Sequence, residues 1–302
     1  MPNTQSNRGL TILLFAFGIW GFFPVYWKTL VSVDEVEILL VRFILTALAC
    51  LVIMPLRGTL VDFRKAWGQP ATLKIFALSG SLLTGNWFSF IWAINTGNVL
   101  ESSLGYFLCP LVSIVLGRII FKERLSRIQW TAVLLALIGV AGMIFLAGRV
   151  PIAAIVIALS WSGYSVAKKK SQLGPVVGLG LETAILSPLA AIGLLWIAYY
   201  GQPTIPSAEP WVLGSLALCG FVTAAPLLLF AFAAPKVKMS TIGMGQYLVP
   251  SLHFMLAVFY GESVNLPVLI SFSFIWAGLI LFSLSETQLI SKGKAVDGIP
   301  AE

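Results

Sequence analysis

The sequence predicts an all-α membrane protein, in which ten transmembrane helices form two inverted five-helix repeats. Three observations carry that reading. With 58% hydrophobic residues, only 10% charged ones and a mean hydropathy of +0.94, the 302-residue chain lacks the charged exterior of a soluble domain. Nearly all of it lies in apolar runs of about 17 to 24 residues, the length that crosses a hydrocarbon core of roughly 30 Å as a helix. Segments about 140 residues apart also resemble each other, which indicates an internal duplication.

The spans fall at 10–27, 36–56, 73–94, 99–118, 128–148, 152–167, 175–198, 211–233, 240–260 and 267–285. Strands of a closed barrel would be shorter and alternating, so helices are the economical way to satisfy the backbone in lipid. No stretch remains for a soluble domain of useful size.

Span one carries Trp20, Gly21 and Pro24 and ends at Lys28. It runs on into the bulky GIWGFFPVYWK instead of a small-residue cleavage site, so it is expected to be retained. Span two contains Arg42, an ionisable residue inside an apolar run. Span three repeats small residues at every fourth position, Ala77, Ser81, Gly85, Ser89, Ala93 and Gly97, a row expected to form a groove for a neighbouring backbone. Span four opens with Asn98 followed three residues later by Glu101, a capping-box spacing, and continues to Gly105, Leu108 and Pro110.

The second half echoes these features. Span six holds Trp161, Gly163 and Tyr164 and ends in Lys168, Lys169 and Lys170, so both it and span one place a lysine shortly after a mid-span tryptophan. Span seven contains Glu182, one repeat of 140 residues beyond Arg42. Span eight sets Gly220, Phe232 and Ala233 opposite Gly80, Trp92 and Ala93 of span three. Span nine sets Gly245, Leu248 and Pro250 opposite Gly105, Leu108 and Pro110. The expected halves are therefore 1–149 and 150–302, with five spans each. Because five is odd, the second half enters the membrane from the opposite face, so the repeat is inverted.

Positive charge orients the bundle. With the N-terminus in the cytoplasm, sixteen lysines and arginines fall in inner connections, and only Lys28 and Arg149 fall outside. That asymmetry places both termini in the cytoplasm. It also explains the formal charge of +7 without nucleic acid. Cys50, Cys109 and Cys219 lie far apart inside apolar runs, so they read as buried small hydrophobes and give no disulfide framework or metal site. No GxxxxGK[ST] loop, HExxH pair or GxSxG elbow occurs, and no cofactor is expected. Neither ATP-driven pumping nor a membrane-embedded enzyme has a motif to carry it.

The residues suited to line a solute site are Trp20, Asn86, Asn95, Tyr106, Trp161, Tyr164, Gln246 and Tyr247. Their rings can stack on an organic solute, and their amides and hydroxyls can hydrogen-bond it. Arg42, Glu182, Glu101 and His253 are the candidate coupling or intramembrane charges. For Arg42 the structural alternative is outer water or Glu101, for Glu182 an inner lysine, and for Glu101 a helix cap. Pro24, Pro110 and Pro250 are candidate helix-bending positions, since proline removes a backbone hydrogen bond. Trp27, Trp67, Tyr199, Tyr200 and Trp211 read instead as interfacial anchors.

The stretches IWGFFPVYWK, GNWFSFIWAINTGNVLESSLGYFLCPLVSIVLG, KERL, LGLETAILSPLA and STIGMGQYLVPSLHFMLAVFYGE resemble the RarD-type (chloramphenicol-sensitivity) branch of the EamA drug/metabolite transporters. The likeness covers about residues 8 to 287, with LESSLGYF and YGE its most specific parts. It implies a bacterial inner-membrane location, inverted five-helix repeats and a central cavity from spans one, three, four, six, eight and nine. It further implies an exporter or exchanger of small metabolites such as amino acids; a drug or nucleoside-like solute is the alternative cargo. The partners expected are a small solute and the lipid bilayer, and the sequence leaves the oligomeric state open.

Overall fold

The computed structural model describes the backbone of residues 2–96, 99–147, 152–261 and 266–296, with side chains for 7–93, 96, 104–146, 152–261 and 266–285. The described chain is helical, without a strand. In order the helices are α1 (Pro2–Gly21), α2 (Phe23–Trp27), α3 (Glu35–Leu56), α4 (Leu60–Trp67), α5 (Pro70–Asn95), α6 (Val99–Ile120) and α7 (Arg127–Ala147). They continue as α8 (Ile152–Lys170), α9 (Pro175–Tyr200), α10 (Pro210–Ala233), α11 (Met239–Gln246), α12 (Leu248–Phe259) and α13 (Leu266–Val296).

The expected spans fall mostly on helical backbone, broken at Phe22 and Tyr247, and residue 148 lies outside the described residues; membrane-crossing character is uneven. Seven stretches of the described residues are long and apolar enough to cross a bilayer: Asn7–Leu30, Glu35–Leu56, Arg127–Leu146, Pro175–Tyr200, Pro210–Lys236, Met239–Phe259 and Leu266–Ser285. Within α6, Leu104–Ile120 forms a shorter apolar helix. The helices α5 and α8 are less apolar, because α5 carries Ser79, Ser81, Thr84, Asn86 and Ser89 while α8 ends in three lysines.

Local chemistry sets the helix ends. Asp34 caps α3, its Oδ1 accepting from the N–H of Val36 at 2.9 Å and of Glu37 at 3.3 Å. Glu35 and Glu37 in the first turn complement the positive end of the helix dipole. Pro175 and Pro210 open α9 and α10, where their missing N–H costs nothing. Gly58, just beyond α3, has φ +67°, a left-handed turn that a side chain would strain.

Helix breaks do not follow the proline positions evenly. A turn at Phe22 separates α1 from α2, with Pro24 in the first turn of α2. Tyr247 separates α11 from α12, and Pro250 lies just inside α12. Pro110, expected to match Pro250, lies within a continuous α6. The row of small residues on α5 is also corrected. Ser81 is exposed, and a Cβ built on Gly85 would meet nothing within 4 Å. The close approach occurs one face away at Gly80, whose Cβ would lie 3.2 Å from the backbone oxygen of Glu182. At Ser81 and Gly85 the row therefore makes no groove for a helix, whereas Ala93 of the same row is buried and Gly97 lies outside the described residues.

The two halves of the sequence share one core. Helix α3 packs on α9 and α10, α5 on α8 and α9, α6 on α8 and α11, α1 on α10 and α12, and α7 on α13. The main cluster joins Leu13 and Phe17 of α1, Cys50 of α3, Trp87 of α5, Cys109 of α6, Trp161 and Tyr164 of α8 and Phe230 of α10. A second cluster, including Phe107, Ala136, Tyr247, Phe272 and Ile275, seats α7 and α13. Cys50, Cys109 and Cys219 are free and buried. The outside is apolar: Leu189, Leu195, Phe145 and Trp196 are all exposed, as a surface facing lipid tolerates. Trp67, Tyr199, Tyr200 and Trp211 are likewise exposed near helix ends. Trp27 differs from that group, because its ring lies against Arg42.

Candidate functional site

Five rings meet at the centre of the main core. Trp20 of α1 contacts Trp161 of α8 edge to face, with ring centroids 5.2 Å apart at 86°. Phe230 of α10 touches both, at 5.9 Å and 5.5 Å. Phe17 and Tyr164 complete the group, Phe17 at 5.9 Å from Trp20 and Tyr164 at 5.6 Å from Trp161. Such contacts are worth about 0.5–1.5 kcal/mol each beyond the area they bury. An organic solute that enters here must part the rings.

The cluster is wired to a buried charge. Glu182 of α9 is fully buried and accepts three hydrogen bonds. Lys168 Nζ donates to its Oε2 at 2.7 Å, Tyr164 Oη to the same oxygen at 3.3 Å, and Ser79 Oγ to Oε1 at 2.5 Å. Tyr164 is thus both a wall of the aromatic cluster and a donor to Glu182. Any movement of its ring changes the solvation of the carboxylate. Lys168 is thus the inner lysine expected as the alternative partner of Glu182, and its neighbour Lys169 donates to the carbonyls of Ala234, at 3.5 Å, and of Val237.

Arg42 has a different surrounding. Its Nε donates to Thr223 Oγ1 at 3.3 Å, and its guanidinium carbon lies 3.9 Å from the Trp87 ring and 4.8 Å from the Trp27 ring. No carboxylate pairs with it among the described residues. The side chain of Glu101 lies outside those residues, as do Asn98 and the side chain of Asn95, so the expected cap and the Asn95 contact lie outside them too.

The remaining candidates are distributed around this centre. Asn86 is buried, and its Nδ2 donates to the Ile157 carbonyl of α8 at 3.1 Å, next to where Gly105 lets α6 approach the same residue. Tyr106 packs on Phe90 at 5.8 Å. His253 on α12 lies 3.3 Å from the backbone oxygen of Trp20 through Nε2. Gln246 and Tyr247 sit at the α11–α12 break; the amide of Gln246 and the hydroxyl of Tyr247 are buried with no hydrogen-bond partner among the described residues. An apolar indentation lined by Leu51, Phe63, Arg64, Trp67 and Ala184 lies apart from these groups, beside α3, α4 and α9. It offers no converging polar groups.

The structure thus joins Trp20, Trp161 and Tyr164 in one cluster and ties Glu182 to it. It keeps Arg42 separate and leaves Gln246 and Tyr247 as unpaired groups. Sequence reasoning missed Phe17, Phe230, Ser79, Trp87 and Thr223, and left open which inner lysine meets Glu182. The spacing of Ser79 and Asn86, seven apart on α5, is a usable signal for a buried polar face. Phe230 offers none, because it lies in an unbroken apolar run.

Residues 7–145 match the EamA-like transporter family. An uncharacterized transporter of Vibrio cholerae is 40% identical to this chain over 94% of both sequences. Protein RarD of Escherichia coli is 39% identical, covering 93% of this chain and 96% of its own. A solved crystal structure of a protein superposes with a TM-score of 0.71 over 92% of this chain and 98% of the other, at 20% identity, which speaks for the fold alone. The apolar helices fit a multi-pass membrane protein. With relatives this similar over nearly their full lengths, the chain belongs to the RarD-type branch of the EamA family and is a membrane transporter.

Proposed function

We propose that this transporter is a secondary carrier of small organic metabolites, with amino acids the cargo that best fits its lining, working by alternating access. The observation that carries the reading is the contact of Trp20 with Trp161 at 5.2 Å. These tryptophans occupy corresponding positions in the two sequence halves, 1–149 and 150–302, and inverted-repeat carriers bind solute between such halves. On this reading the halves are five-helix repeats of opposite orientation, both termini are cytoplasmic, and the protein resides in a bacterial inner membrane as an exporter or exchanger. The rings in contact represent a closed core, and rocking of the halves parts them. The Glu182 network, linked to the rings through Tyr164, is the candidate for ion coupling.

Purified protein in liposomes tests this. Counterflow of an unmodified labelled solute from a panel of amino acids and nucleosides is the expected result, and the panel member that moves names the cargo class. A chemically altered product overturns the carrier reading in favour of an enzyme.

A further inference from the structure

Among the described residues, the charged side chains held between these helices are, with one exception, supplied with partners. Glu37 accepts from the Thr204 N–H at 2.7 Å, the Ile205 N–H at 3.2 Å and the Thr204 hydroxyl. Glu123 accepts from the Met239 and Ser240 N–H groups and the Ser240 hydroxyl. Lys168 and Glu182 have each other. Arg42 is the exception. A guanidinium carries five N–H bonds, and among the described residues only the Nε of Arg42 has an acceptor, at a long 3.3 Å.

The arrangement holds the group without neutralising it. Trp87 and Trp27 lie against the guanidinium, and Trp87 is itself backed by Phe43 at 5.0 Å. Cation–π contact partly offsets the cost of desolvating the charge and fixes its plane, but leaves the terminal nitrogens at the edge open. Tyr26, Tyr106 and Cys219 lie within electrostatic reach, all neutral. Helices α2, α3, α5, α6 and α10 contribute these neighbours, so the charge faces the bundle interior. That placement favours a dissolved anion over a lipid phosphate. Arg42 lies two turns past the start of α3, about 10 Å along it.

We propose that the open edge of Arg42, gripped by Trp27 and Trp87, is the subsite that takes the carboxylate of the transported solute. A planar, two-oxygen anion matches the planar fork, and a lysine could not reproduce that match. A cation with no carboxylate partner among the described residues is then the resting form of a binding group, and its partner arrives with the cargo. This assignment rests on the carrier reading above and sharpens it, selecting carboxylic acids over neutral nucleosides.

The test pairs each acid with its amide: leucine with leucinamide, phenylalanine with phenylalaninamide. Counterflow in liposomes is measured alongside thermal unfolding of the purified protein with each compound. Acids are expected to exchange at least tenfold faster than their amides and to raise the melting temperature, which the amides leave unchanged. Arg42→Gln is expected to abolish both differences. Should that variant fail to fold, Arg42→Lys keeps the charge, and weakening of the acid preference by about tenfold is the expected sign of a lost fork. Acids and amides behaving alike, or an acid preference that survives Arg42→Gln or is unchanged in Arg42→Lys, overturns the subsite. Acids that stabilise the protein but are not moved support the subsite and sink the carrier reading; a nucleoside moved while no acid binds does the reverse.

Discussion

Lys168 Nζ and Glu182 Oε2 meet at 2.7 Å, with side chains only 3% and 0% exposed. A buried pair of this kind adds little net stability over apolar residues, yet losing one member strands a charge at about 3–5 kcal/mol. Lys168→Met and Glu182→Leu should each lower the melting temperature of the purified protein strongly. The double variant should recover most of the loss, because no charge is left stranded. Additive losses in a double-mutant cycle would mean that the pair does not couple.

The same carboxylate is the candidate proton carrier. The groups facing it are Lys168 and Tyr164 on α8 and Ser79 on α5, with Cys50 of α3 in electrostatic reach. Protonation of Glu182 would remove the acceptor charge that holds Lys168 and would loosen Tyr164 in the aromatic cluster. Glu182→Gln mimics the protonated state permanently. Transport by this variant is expected to lose its dependence on pH in the liposome assay. An unchanged pH profile assigns the pair to structure alone.

Glu123, in the connection after α6, caps a distant helix. Its carboxylate accepts from the N–H groups of Met239 at 2.6 Å and Ser240 at 2.9 Å, and from the Ser240 hydroxyl at 2.8 Å, at the start of α11. Charge-bearing acceptors at a helix N-terminus contribute roughly 0.5–2 kcal/mol. Glu123→Ala should destabilise by about that amount, while Glu123→Gln, which keeps an acceptor, should lose less. Faster hydrogen exchange at the α11 amides in Glu123→Ala, relative to α9, checks that the effect is local. Equal exchange in both helices would rule out a cap.

The fold was legible in outline because lipid leaves few options. Apolar runs had to be helices, and most of their bounds agree with the described helices within a few residues, although α1 begins eight residues before the first run and α13 continues eleven residues past the last. The doubled tryptophans pointed to Trp20 and Trp161, which do meet. Apart from an inner lysine for Glu182, partners across the bundle were not legible, because a helix periodicity says which residues share a face but not what faces them. Lys168 was one of three adjacent lysines, and only the packing of α8 on α5 turns it toward Glu182 rather than water. Thr223 and Trp87 were likewise invisible as neighbours of Arg42, since they lie 181 and 45 residues from it. The repeat itself misled at Pro110: equal position did not give an equal break, because α6 stays continuous where α11 and α12 part.

That break leaves Gln246 only 5% exposed with both amide atoms unpaired among the described residues, as is the hydroxyl of the adjoining Tyr247. A buried amide without partners costs about 1–3 kcal/mol, and an apolar side chain of similar size does not incur that cost. Gln246→Leu should therefore raise the melting temperature of the solute-free protein. If the amide is kept unpaired for cargo, the same change should raise the solute's Km, with membrane expression intact. Tyr106→Ala, at the corresponding position of the first half, should raise Km as well, but without the gain in stability, since it removes a ring that packs on Phe90. A more stable Gln246→Leu protein with unchanged Km would show the orphaned amide to be a packing defect, and would take Gln246 out of the site.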